Sequence, residues 1–157
     1  MVEVYNKIIV VSLCDKFSIK VGKTLSHDLD MMFCSTRDLG EYELIDKDKL
    51  KQTTSKEYYD LRERKVIKHI ASFEDVVVSI SYDYLIHHVN ILKKNSLVVF
   101  LDLPIDYVEQ NGNIVDVIDF ENRIKNLKDI ATLSIDIESD DVNLVCDQII
   151  TELGGIL

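Results

Sequence analysis

Apolar residues gather into four short runs separated by amphipathic stretches. The runs cover residues 7–13 (KIIVVSL), 76–81 (VVVSIS), 97–102 (LVVFLD) and 131–137 (ATLSIDI). Each is rich in β-branched residues, and the first three lack strict alternation, the mark of strands covered on both faces. Residues 31–34 (MMFC) read as a fifth, weaker strand. Helical spacing fills the gaps. Residues 55–73 put Tyr59, Val66, Ile70 and Phe73 on one face, with Ser55 as N-cap. Residues 83–94 form the next helix, ended by Asn95-Ser96. Residues 140–153 carry a stripe of Val142, Val145, Ile149 and Leu153, capped by Ser139 and stopped by Gly154-Gly155.

Alternating strand and helix with right-handed crossovers predicts one doubly wound α/β domain over residues 1–157. Its three layers are α/β/α, around a five-stranded parallel sheet. Ligands of such folds sit at the carboxyl ends of the strands, where strand order reverses. The segments after Leu13, Cys34, Ser81 and Asp102 are therefore the places to look for chemistry.

Composition narrows the function classes. The hydrophobic fraction of 46% over 157 residues suffices for one core. No apolar run reaches the length of a membrane span. The opening MVEVYNKIIVV lacks a basic region and a cleavage site, so no signal peptide is read and a cytoplasmic protein is expected. A net charge of −10 argues against nucleic acid but leaves room for a small anion in a local positive pocket. Cys14, Cys34 and Cys146 are odd in number and far apart, which fits reduced buried thiols rather than disulfides or zinc. His87 and His88 are adjacent rather than one helical turn apart, so no metal is expected. The basic residues Lys47 to Lys68 are mixed with acids and read as a solvated face.

The turn after the first strand is where a phosphate cradle belongs. Gly22-Lys23-Thr24 looks like the end of a Walker A motif, but that pattern needs glycine where Phe17 stands. Ile19 and Val21 are also poorly suited to positive φ. The tripeptide reads instead as part of the first helix.

Segment order and spacing over nearly the whole chain resemble shikimate kinase, a small P-loop kinase. The resemblance rests on Val21-Gly22-Lys23, the short strand ending in Phe, and the later long helix. Leu97-Val98-Val99-Phe100-Leu101-Asp102-Leu103-Pro104 is similar to the family's VVYLDAP, and a late Arg123 precedes an Ile-Ala strand entry. In that register the family's Walker A falls on residues 12–20. Its three glycines become Ser12, Asp15 and Phe17, its phosphate lysine Ser18, and its magnesium-binding hydroxyl Ile19. Asp15 would face phosphate, and one like-charge contact at about 4 Å costs on the order of several kcal/mol in a partly buried site. The family's Asp-Thr-Asp reads Ser35-Thr36-Arg37, and its substrate-gripping Arg reads Asp60. Its triple glycine reads Ser81-Tyr82-Asp83, and its lid, residues 110–119, holds no Arg or Lys. Glu63 and Arg123 match substrate-pocket positions of the family.

The resemblance thus implies a shikimate kinase-like pseudoenzyme without catalytic residues or cofactor. Its expected role is binding or regulation toward a protein partner or a small metabolite, with Phe17, Ile19 and Tyr82 as candidates to fill the former cavity. The alternative is an active shikimate kinase with a non-standard loop, using ATP and Mg²⁺ to phosphorylate the 3-hydroxyl of shikimate. A pure interaction module is a third class.

Overall fold

A computed structural model describes residues 5–43, 56–111 and 116–156. The strands are β1 (Lys7–Val11), β2 (Met32–Ser35), β3 (Val76–Ser79), β4 (Ser96–Asp102) and β5 (Leu133–Asp136). They form one sheet in the order β2-β3-β1-β4-β5, and every pairing is parallel. The three inner strands are apolar on both faces because helices cover both. Every residue of β1 and β3 is buried, whereas in the edge strand β5 Ser134 and Asp136 are exposed, Leu133 is half-buried and Ile135 is buried.

The helices are α1 (Asp15–Asp28), α2 (Thr36–Glu43), α3 (Lys56–Ser72), α4 (Tyr82–His87), α5 (Val89–Leu92), α6 (Ile105–Asn111), α7 (Val117–Ile130) and α8 (Val142–Ile156). Helices α1 and α8 pack together. With right-handed crossovers they share one face of the sheet, while the connections after β2, β3 and β4 cover the other. The stripe of α8 is buried as expected at Val145, Ile149 and Leu153.

Several boundaries differ from the sequence pattern. Gly154-Gly155 do not stop α8, which continues to Ile156, because buried Leu153 anchors its last turn. Its cap is Asp141 rather than Ser139. The Asp141 carboxylate accepts the amides of Asn143 (3.0 Å) and Leu144 (3.4 Å), while the Ser139 hydroxyl accepts that of Asp141. The helix expected over 83–94 is broken at His88, whose φ of −133° interrupts α4 and α5. Helices α2, α6 and α7 stand where no helix was expected. Ser55 lies outside the described residues.

The chain enters β2, β3 and β4 through left-handed residues, Asp30 (φ 55°), Asp75 (φ 53°) and Asn95 (φ 58°). Asp and Asn tolerate this conformation better than other side chains. Buried Lys7, at the start of β1, donates to the carbonyl of Ala71 (3.2 Å) at the end of α3. Its partial desolvation is thereby offset by the negative end of a helix.

Gly22 lies inside α1, as the sequence indicates, and its role is packing. A Cβ there would come within 2.6 Å of the Phe33 ring. Gly22→Ala should therefore destabilise the fold by about 1 kcal/mol, overpacking outweighing alanine's better helix propensity. Phe33→Leu in the same chain should recover part of that loss. Denaturant unfolding of the three variants checks both expectations.

Candidate functional site

The turn from β1 to α1 is three residues long, Ser12-Leu13-Cys14, and all three are buried. The Ser12 hydroxyl closes it. Its oxygen accepts the amide of Cys14 (3.1 Å), lies 2.8 Å from the Cys14 carbonyl, and is hydrogen-bonded to the hydroxyl of buried Ser18. The amide of Ser18 then donates to the Cys14 carbonyl (3.1 Å), so helical bonding starts at once. Phe17 points into the core and meets Tyr107 edge-on, with ring centroids 5.9 Å apart. Ile19 is half-buried on α1. A cradle of inward-facing amides needs a longer loop with left-handed or glycine positions; this turn has neither.

A cavity of about 450 Å³ nevertheless opens above the carboxyl ends of β1, β2 and β3. It is lined by Ser12, Leu13, Asp15, Lys16, Arg37, Ser81, Tyr82, Asp83, Asn111 and Arg123. The expectation that Phe17 and Ile19 fill this space is not met: Phe17 is buried in the core, Ile19 is half-buried on α1, and neither lines the cavity. Tyr82 forms a wall instead of a plug. Its hydroxyl accepts from Asn126 of α7 (2.9 Å), which holds the ring upright. The amide of Ser81 donates to the hydroxyl of buried Thr36 (3.1 Å), tying the end of β3 to the start of α2.

The charged groups come from four elements. Arg123 is held on α7, where Nε donates to Asp119 (3.0 Å) and the guanidinium carbon sits 4.8 Å from the Tyr82 ring centre. Lys16 projects from the first turn of α1 and Arg37 from that of α2. Against these three cations stand Asp15 and Asp83. The Asp15 carboxyl is pushed above its ordinary range, first by burial and then by the negative charge of Asp83, with Arg37 opposing both.

Of the positions that the resemblance singles out, Ser12, Asp15, Arg37, Ser81, Tyr82, Asp83 and Arg123 line the cavity. Phe17, Ser18 and Ile19 do not. Glu63 also lies outside it, 3.4 Å from His87 Nδ1 and 3.3 Å from His88 Nε2. The adjacent histidines thus converge on one carboxylate instead of facing apart. Among the described residues no group of His, Cys, Asp or Glu is arranged to hold a metal ion. Residues 112–115 of the expected lid lie outside the described residues, and Asp60 is described in its backbone alone.

Lys16 and Asn111 are lining residues to which the sequence assigns no role, and Arg37 and Asp83 stand out there only as replacements of family motif residues. Lys16 and Arg37 each follow a strand end by a few residues, and that position was the available signal. Among the cysteines, burial pushes the Cys34 thiol up to about 11 and that of Cys146 up to about 12. Both therefore stay protonated near neutral pH. Among the described residues no helix is long and apolar enough to cross a membrane.

No family model and no curated protein matches the chain in sequence. Solved structures do match. A shikimate kinase from Aquifex aeolicus superposes with a TM-score of 0.75 at 22% identity, covering 95% of this chain and 96% of its own. The fold is that of the shikimate kinases. A second one, from Acinetobacter baumannii in complex with shikimate, gives 0.72 at 16% identity over 98% and 95% of the two chains. A gluconokinase from Sinorhizobium meliloti has the same fold more distantly, at 0.58 and 15% identity over 96% and 93%. Against this shikimate kinase fold, the short turn at Ser12 and the mixed charges of the cavity are properties of this chain's own residues.

The raised Asp15 carboxyl has a consequence for stability. Folding favours its protonated form, so the folded state binds the proton more tightly than the unfolded chain does. Its contribution is favourable in acid and is lost as pH rises through the folded pKa. At neutral pH the charged group is therefore a liability. Asp15→Asn should stabilise the protein at pH 7 by up to about 1 kcal/mol, solvent screening limiting the gain. The advantage should fade below about pH 4, where the carboxyl protonates in both states. Thermal melts of both proteins across pH measure this.

Proposed function

We propose that this chain is a catalytically inactive relative of the shikimate kinases that has kept the substrate-side cavity and binds a small metabolite there. The observation that carries the reading is the three-residue β1–α1 turn closed by the Ser12 side chain. Phosphoryl transfer depends on positioning and electrostatic stabilisation of the phosphates. In this turn the Cys14 amide is already spent on Ser12, and Asp15 sets a carboxylate beside the space a phosphate would need. The residues present do not fit a nucleoside triphosphate with its magnesium ion. The surviving cavity with its fixed Arg123 supports binding as the retained property.

The alternative of an active shikimate kinase draws on one observation, that Lys16 and Arg123 line the same cavity. The two readings part in solution. ATP with Mg²⁺ at millimolar concentration should leave the melting temperature unchanged, because a ligand that binds the native state must raise it. ATP with shikimate should yield no shikimate phosphate. A clear shift on adding nucleotide, or turnover that Arg123→Ala weakens through KM, would establish the enzyme instead.

A further inference from the structure

The walls of the cavity carry both signs of charge, and each sign excludes a class of ligand. Asp15 and Asp83 line the same cavity, and the charge of Asp83 disfavours the ionised form of Asp15. A dianion entering beside them adds to that repulsion, whereas an ammonium group relieves it. Lys16, Arg37 and Arg123 in turn repel a diamine. The Arg123 head is already aimed. Nε is engaged by Asp119 and the plane rests near Tyr82, while its two terminal nitrogens have no partner among the described residues. A guanidinium held by one edge presents the remaining fork to a carboxylate with little loss of side-chain entropy.

We propose that this cavity binds a small acidic amino acid, its ammonium group between Asp15 and Asp83 and its carboxylates on Arg123 and Lys16. The inference rests on the reading of the chain as a binding protein and adds the ligand class. One ammonium and two carboxylates complement a lining that carries Asp15 and Asp83 together with Lys16 and the open fork of Arg123. The cavity's 450 Å³ leaves room for such a molecule with some water. Discrimination follows from the repulsive groups as much as from the attractive ones. Molecules that lack the ammonium group bring only negative charge to the wall that holds Asp15 and Asp83, and molecules that lack carboxylates bring only positive charge to Lys16 and Arg123.

The test is calorimetric titration of the full chain with three probes of similar length: L-glutamate, glutarate and cadaverine. L-glutamate should bind at least about tenfold more tightly than glutarate, and cadaverine should not bind; tenfold corresponds to about 1.4 kcal/mol. Asp83→Asn should weaken L-glutamate about tenfold and leave glutarate equal or tighter, the loss of one charge-assisted contact. Arg123→Gln should weaken both. Each variant's melting temperature reports whether it remains folded, and Asp15→Asn supplies a second carboxylate variant. Glutarate binding as well as L-glutamate, indifference to Asp83→Asn and Asp15→Asn, or no binding of L-glutamate at millimolar concentration would each overturn the proposal. Assays with ATP and shikimate run alongside separate the two claims. Turnover there defeats the binding-protein reading itself, whereas its absence together with no glutamate binding defeats only the ligand class.

Discussion

The hydroxyl of Ser12 sets the geometry at the centre of the molecule. It takes the Cys14 amide, reaches the Cys14 carbonyl and meets Ser18, so strand β1 passes into α1 in three residues. Buried backbone groups must be paired, and a side chain that pairs them locally removes the need for a ligand to do so. A turn that satisfies its own donors is stable without an anion, and it can begin its helix immediately. That places Asp15 and Lys16 at the cavity mouth and turns Phe17 inward against Tyr107. One short-range hydrogen-bond choice therefore decides the shape, the charge and the open volume of the site.

The second determinant is cross-bracing. Tyr82 is fixed from α7 by Asn126 and in turn underlies Arg123, which Asp119 holds by its edge. Ser81 is fixed from α2 by Thr36. Three connections on one side of the sheet are thereby joined around the space they enclose. Such support keeps functional side chains in place at low entropic cost.

The inner strands were legible in the residue pattern because burial on both faces leaves continuous β-branched runs, as at Ile8 to Val11 and Val76 to Val78. The stripe of α8 was legible for the same reason: Val145, Ile149 and Leu153 repeat at helical spacing. Helix α2 (TRDLGEYE) was not, since it is short and mostly polar, and α7 hid its Phe120, Ile124 and Leu127 among charged residues. His88 broke a helix that periodicity alone ran straight through. At the site, the turn could be found from strand end and spacing, while Asp15 and Arg123 were marked by the family resemblance. Arg37 and Asp83 were visible only as departures from a family pattern. Their convergence with Lys16 depends on the strand order β2-β3-β1, which brings three sequence-distant ends side by side.

The left-handed residues Asp30, Asp75 and Asn95 all sit at the amino ends of strands in a parallel sheet, the edge remote from the cavity. Each holds a Cβ in a conformation that glycine accepts without crowding, a strain of up to about 1 kcal/mol. The molecule thus stores adjustable robustness along one rim and recognition along the opposite one. An evolving lineage, or an engineer, can tune how firmly the scaffold holds without rewriting what its mouth accepts.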